Sequence, residues 1–267
     1  VAVGFPLAAM GFVMMLHQTG AGWSATIRRP FEHMMSLLWL AAPMFFGILV
    51  LQTIFAMGGG EGYSPYLWNW MDPSYTVGDM LYEAKRPYLN VPFFLIRSLV
   101  CFTVWIVLSM SLYGLSTRQD VDGDRWHTRT MRKISSVGLV LFAVTTAFAG
   151  FDWFSTMLGV HFFAKSMVSM IALGTLTLIV LRSLGRLHIA FTEEHLHDLS
   201  KLVFAFLVFW AYISFSQYFL IWYANIPEET AYFVIRKEGA WRILSWIIPV
   251  GHFLVPFIIL LPRPWRR

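Results

Sequence analysis

Seven long apolar runs, each bounded by charged residues, glycine or proline, recur along this chain of 267 residues. In a helix that rises 1.5 Å per residue, about 20 apolar residues cross the hydrocarbon core of a bilayer. The composition, 57% hydrophobic and 13% charged, excludes a pair of soluble domains. We therefore predict an all-α, polytopic membrane protein in which residues 1–267 form one helical domain. The predicted spans cover roughly residues 1–17, 34–56, 89–112, 134–152, 157–181, 201–224 and 241–261.

Several classes of site are excluded by what the sequence lacks. The single cysteine, Cys101, lies inside an apolar run, so there is no disulfide framework and no CxxC motif for a metal or a c-type haem. No predicted span carries two histidines at opposite depths, as stacked bis-histidine haems require. We expect no catalytic residue, no metal ligand and no covalently bound cofactor, and the modest net charge of +5 does not indicate nucleic-acid binding.

The basic residues predict the orientation of the spans. Lys and Arg outside the spans divide into 13 on the side of residues 113–133 and 5 on the opposite side. Because cytoplasmic loops are enriched in Lys and Arg, we expect loop 113–133 to be cytoplasmic and loop 58–88 to be non-cytoplasmic. Loop 58–88 is rich in Tyr and Trp, which is typical of an interfacial belt or of a platform for an extrinsic subunit.

Ionisable side chains inside predicted spans are the candidate functional residues, because each costs roughly 2.5–3.5 kcal/mol to insert. They separate by depth into two groups. The outer group is Arg97, Asp152, His161, Lys165, Gln217 and His252. The inner group, proposed for a proton path, is His17, His33, His195, His197, Asp198 and Lys201, with Glu32 and His188 nearby. We expect Asp152 to pair with Arg97 or with Lys165.

The same residues can instead have purely structural roles. Asp198 can cap a helix whose first turn also exposes His195 and His197 to solvent. Arg97 can bond carbonyls and Lys165 can snorkel to the interface. His252 follows Pro249 and Gly251, where a loosened helix offers free carbonyls.

The span that begins at Glu193 predicts two polar faces at helical spacing. Asp198, Lys201 and Tyr212 lie on one face, which we expect to extend the inner entrance toward the middle of the membrane. Trp210, Ser214 and Gln217 lie on another, which we expect to meet the outer group.

Four stretches give the chain a family resemblance. They are HQTGAGWS (17–24), KRPYLNVPFFLIR (85–97), FDWFSTMLGVHFF (151–163) and HLHDLSKLVFAFLVFWAYISFSQYFLIWYANIPEET (195–230). The chain resembles the NrfD-like membrane subunits related to the polysulfide-reductase anchors, and among them the smaller such subunit of bacterial alternative complex III. This resemblance implies two four-helix bundles with flanking helices, in the bacterial cytoplasmic membrane.

The resemblance also implies a role in a quinol:electron-acceptor oxidoreductase. Such a complex oxidises menaquinol or ubiquinol, and its haem and iron–sulfur groups lie on partner subunits. The implied partners are a larger NrfD-like subunit, an iron–sulfur subunit, c-type cytochrome subunits, lipid and quinol. The family has been proposed to conduct protons through half-channels. That role is carried here to His195, His197, Asp198, Arg97 and Asp152; quinol binding and scaffolding are the alternatives.

The chain departs from the family pattern in its ends and in one connection. Helices are missing at both ends, so we expect a fragment, and the connection after Asp152 is short enough to suggest a gap near residues 153–154.

Overall fold

The computed structural model describes residues 3–57, 67–72, 76, 78, 80–154, 159–187, 191–225, 230, 233–234 and 236–262. Its long helices are α1 (Gly4–Thr19), α2 (Arg28–Ser36), α3 (Leu38–Met57), α5 (Val91–Asp122), α6 (Arg125–Phe154), α7 (Gly159–Ser183) and α8 (Glu193–Ala224). A short α4 covers Met80–Lys85, and the last helix consists of α9 (Gly239–Ile247), a π-helical segment (Ile248–Leu254) and α10 (Val255–Leu260).

Among the residues that the structure describes, six helical segments are long and apolar enough to cross a membrane. They are Arg28–Ile54, Val91–Asp122, Arg125–Trp153, Val160–Ser183, Glu193–Ala224 and Gly239–Leu260. The predicted all-α polytopic membrane protein is therefore confirmed, with a helix at each of the seven predicted positions. The first, α1, has 16 residues and is shorter than the other six.

Helix α1 lies at the centre of the described bundle. Almost every side chain along it is buried, from Leu7 through Ala9 and Val13 to Leu16. A helix that is apolar on all sides needs neighbours on all sides, and α2, α6 and α7 provide them. Helix α5 packs on α6 and α2, α8 packs on α7, and α10 packs on α8, so the last helix lies at the edge of the bundle.

The prediction that residues 113–133 form a loop is wrong. Helix α5 continues to Asp122 and α6 starts at Arg125, so only Gly123 and Asp124 join them. Gly123 adopts a left-handed conformation (φ 66°) that favours glycine and ends α5. Hydropathy shows where the apolar part of a span ends. The helix itself can continue past that point, because its polar turns can lie outside the bilayer.

Close packing around α1 makes glycine necessary at Gly174 of α7. A Cβ added there would overlap the ring of Phe31, which is fully buried in α2. We expect Gly174→Ala to lower the free energy of unfolding by about 1–3 kcal/mol, because the packed ring has little room to move. Gly114→Ala is the matched control, since nothing lies within 4 Å of that position. Thermal unfolding in detergent compares the two; an unchanged midpoint for Gly174→Ala would contradict the tight contact.

Candidate functional site

A buried ion pair joins α5 and α6 near one end of the bundle. Arg97 Nε lies 2.7 Å from Asp152 Oδ2, and Arg97 Nη2 lies 3.0 Å from Asp152 Oδ1. The side chains are only 11% and 4% exposed. Two parallel N–H···O bonds are the strongest arrangement for a guanidinium and a carboxylate, so this geometry fixes both side chains. Of the two partners predicted for Asp152, the structure selects Arg97.

Tyr88 completes this site and was not predicted. Its hydroxyl donates to Asp152 Oδ1 (2.9 Å), and its carbonyl accepts from Arg97 Nη1 (3.0 Å). The guanidinium carbon of Arg97 also lies 3.9 Å from the Tyr88 ring centroid and 4.3 Å from that of Phe93. Burial, followed by the bond to Asp152, raises the pKa of the Tyr88 phenol, so it remains a proton donor. In the sequence Tyr88 was one of many loop aromatics.

Aromatic side chains close the bundle beside this ion pair. Trp153 stacks on Phe102 with ring centroids 5.7 Å apart and meets Trp105 edge to face at 5.8 Å. Phe45 of α3 lies 4.6 Å from the Trp153 ring, and the indole of Trp68 donates to the Trp153 carbonyl (3.0 Å). The Arg97–Asp152 pair is therefore separated from the middle of the bundle by a packed aromatic layer.

A second buried carboxylate, Glu32, lies at the other end of α5. It is 1% exposed, with Arg28 Nε at 2.6 Å, Arg29 Nη1 at 2.8 Å and the Ser116 hydroxyl donating at 2.8 Å. Arg29 also pairs with Asp120. Arg28 Nε and Arg29 Nη1 lie close to Glu32 but do not form hydrogen bonds with it. The attraction between the opposite charges therefore holds the two arginines at the carboxylate. Sequence reasoning placed Glu32 in the inner group but treated the two arginines only as loop charges.

Helix α5 connects these two charged sites. Arg97 and Ser116 are 19 residues apart, which corresponds to about 28 Å of helix. Between them the buried face carries Ser109, whose hydroxyl donates to the Met35 carbonyl (2.8 Å), and Trp105, whose indole donates to Thr145 (2.8 Å). Ser109 and Trp105 are therefore both engaged in hydrogen bonds across the helix contacts, whereas the buried hydroxyls of Ser98 and Thr146 have no partner among the described residues.

Two of the remaining outer residues, His161 and His252, belong to a separate group between α7, α8 and the π-helical segment. The Ser214 hydroxyl lies 3.1 Å from His161 Nδ1, and the Trp210 ring packs against His161 (6.0 Å) and His252 (4.6 Å). Trp210 Nε1 and His252 Nε2 are buried with no hydrogen-bond partner among the described residues. The predicted loosening of the last helix around His252 is confirmed, since Ile248–Leu254 is π-helical rather than α-helical.

The polar faces predicted for α8 have different outcomes. The face of Trp210 and Ser214 turns inward and meets His161, as expected. Lys201 and Tyr212, on the other predicted face, are both exposed on the described bundle, and the inner entrance expected there stays a prediction. Lys165 is also exposed on α7, and Gln217 is half-buried on α8.

Apart from the Asp198–Lys201 ion pair, no hydrogen bond or ion pair joins two inner residues in the part of the chain that the structure describes. His33 Nδ1 lies 3.2 Å from the Tyr113 hydroxyl, and Arg132 Nε donates to the His17 carbonyl (3.2 Å). His195 forms a capping box with Thr192 at the start of α8.

The other inner residues are also accounted for locally. Asp198 pairs with Lys201 (2.5 Å), one turn away on the surface of α8. The buried His197 has no partner for Nδ1 among the described residues. His188 lies outside the described ranges, as do three of the seven aromatic residues of loop 58–88, namely Tyr63, Tyr66 and Tyr75. For His195, Asp198 and Lys201, capping and local pairing explain the contacts.

Two open grooves complete the description. One, of about 320 Å³, is lined by Arg125, Thr128, Arg129 and Arg132 at the start of α6. The other is apolar and runs from Ile243 in α9 to Gly251 in the π-helical segment. Within the described ranges, no three His, Cys, Asp or Glu side chains are placed to hold a metal ion.

Neither a protein-family model nor a curated protein matches the chain. Its function therefore has to be inferred from the two charged sites and from the fold that holds them: a multi-pass helical membrane protein.

Proposed function

We propose that this chain is a membrane subunit of a bacterial quinol:electron-acceptor oxidoreductase of the alternative complex III type, and that it conducts protons. In this proposal the quinol site, haems and iron–sulfur clusters lie on partner subunits in the cytoplasmic membrane. Asp152 takes up the proton of the outer half-channel, and Glu32 occupies the inner entrance. The supporting observation is the buried Arg97–Asp152–Tyr88 site at one end of α5 with a second buried carboxylate at the other.

The ion pair supports a coupling step in which the charge of Asp152 first loses its compensating partner and is then neutralised by a proton. While Arg97 contacts Asp152, the two charges compensate each other in the low dielectric of the bundle. A movement of α5 against α6 that separates them leaves a buried carboxylate uncompensated. Taking up a proton removes that charge, and restoring the contact expels the proton. Tyr88, whose hydroxyl donates to the carboxylate, is the neighbouring group in this step.

The aromatic layer has a defined role in this scheme. Phe102 and Trp105 are almost completely buried beside Trp153 and block passage between the two half-channels. A proton conductor has to be closed at mid-membrane in its resting state, since an open path would dissipate the gradient. The same packing also suits a scaffold that docks extrinsic subunits through loop 58–88, so activity has to decide between the two.

Asp152→Asn tests the proposal in the assembled complex, reconstituted into vesicles. The amide keeps an oxygen for the Tyr88 hydroxyl but cannot carry the proton. We expect the rate of proton movement through this subunit to fall by at least about tenfold, because a positioned acid–base group contributes roughly 10²–10⁴ to the rate of proton transfer, and the proton-to-electron ratio should fall with it. Quinol oxidation should continue. Glu83→Gln is the matched control, since it removes an exposed carboxylate from the same side of the bundle.

The same measurement distinguishes the alternatives. An unchanged proton-to-electron ratio in Asp152→Asn would leave a scaffold role. Quinol binding is the second candidate function, because the unpartnered Trp210 Nε1 and His252 Nε2 lie in one group with His161 and can bond a ring oxygen. Loss of quinol oxidation together with proton movement would favour that candidate.

A further inference from the structure

Three arginines line one face at the start of α6. Arg125, Arg129 and Arg132 are four and three residues apart, so they lie along one side of the helix and border the groove of about 320 Å³. Arg125 and Arg129 are exposed and have no acidic partner within the described ranges. The acids nearest in sequence are engaged elsewhere: Asp124 accepts from the Trp126 amide (2.8 Å), and Asp122 lies 3.4 Å from His127 Nε2.

The depth of the groove matches that of lipid headgroups. The apolar part of α6 begins near Ile134, so Arg132 and Arg129 lie within about 8 Å of it. The backbone of Arg125 lies about 14 Å from it, and its long side chain has to extend back toward the membrane to reach a headgroup. Headgroup regions extend roughly 5–8 Å on each side of the hydrocarbon core. Trp126, which is 56% exposed, follows Arg125 directly and is of the residue type found at this interface.

We propose that this groove binds the phosphodiester headgroup of an anionic phospholipid. Arg125 and Arg129 donate to the phosphate oxygens, because a planar guanidinium matches that oxygen geometry. Arg132 forms the inner wall, where it also donates to the His17 carbonyl at the end of α1. The bound lipid would neutralise a cluster of positive charge beside the central helix, and this role is independent of whether the chain conducts protons.

Native mass spectrometry tests the proposal on the full chain in neutral detergent, with dioleoylphosphatidylglycerol as the probe. We expect the Arg125→Gln/Arg129→Gln variant to bind this lipid about 30-fold more weakly, since each basic residue near the surface contributes about fivefold. Arg132 is left in place because it contacts α1. The matched control is Arg118→Gln/Arg186→Gln, which removes two exposed charges outside the groove and should retain the lipid.

Four outcomes would overturn the inference. Equal losses in both double variants would show diffuse attraction to the basic side rather than a site. Equal binding of phosphatidylcholine would show that the anionic headgroup is not recognised. Displacement by inorganic phosphate, but not by chloride at the same ionic strength, would assign the groove to the free anion. Loss of a co-purifying subunit with lipid binding unchanged would assign it to an acidic protein segment.

Discussion

Replacing Arg97 by methionine is expected to lower the free energy of unfolding by about 3–5 kcal/mol. The substitution keeps much of the volume and leaves Asp152, whose side chain is 4% exposed, as a buried carboxylate. The Tyr88 hydroxyl would remain its donor, but a neutral donor cannot compensate the charge. Unfolding of the chain in mixed micelles, followed by helicity as the fraction of denaturing detergent rises, measures the loss.

A double substitution shows whether the loss comes from the unpaired charge. Arg97→Met combined with Asp152→Leu removes both charges, and an apolar pair of similar volume is often neutral or stabilising. We expect the double variant to recover most of the stability that Arg97→Met loses. If the double variant were as unstable as the single one, the packing of Arg97 on Tyr88 and Phe93 would account for the effect instead.

Much of the fold could be predicted because the period and length of apolar runs report directly on membrane-spanning helices. The order of the helices around α1 could not be predicted in this way. Apolar spans resemble one another in sequence, whereas their packing depends on shape, as at Gly174 against Phe31. The helix ends were missed at Asp122 and Arg125 because polar turns beyond the bilayer carry no apolar signal.

The candidate site was predicted in part for a similar reason. The cost of burying a charge implies a partner, and this reasoning left Arg97 and Lys165 as partners for Asp152. To choose between them one has to know how α7 is oriented about its own axis. In the structure this orientation leaves Lys165 exposed. Tyr88 carried no distinguishing signal among the loop aromatics. Arg28 and Arg29 were counted as loop charges because their helix starts before the apolar run does.

We expect the Glu32 site to lose more stability when its two arginines are removed than when its carboxylate is removed. Arg28→Met with Arg29→Met leaves a carboxylate that is 1% exposed and bonded only to Ser116 among its described partners. We expect this double variant to lose about 3–5 kcal/mol of unfolding free energy. Glu32→Gln should lose less, about 1–2 kcal/mol, because the arginine side chains are 20% and 31% exposed and can turn toward water or headgroups.

Single arginine variants test the physical reason for that asymmetry. With either arginine retained, Glu32 keeps one compensating charge, so Arg28→Met and Arg29→Met should each lose clearly less than half of what the double variant loses. Unfolding in mixed micelles compares all four variants. Strictly additive single losses would mean that each arginine contributes an independent surface contact. A super-additive double loss means that the buried carboxylate requires one cation and tolerates the absence of the second, as a protonatable group at the mouth of a half-channel would.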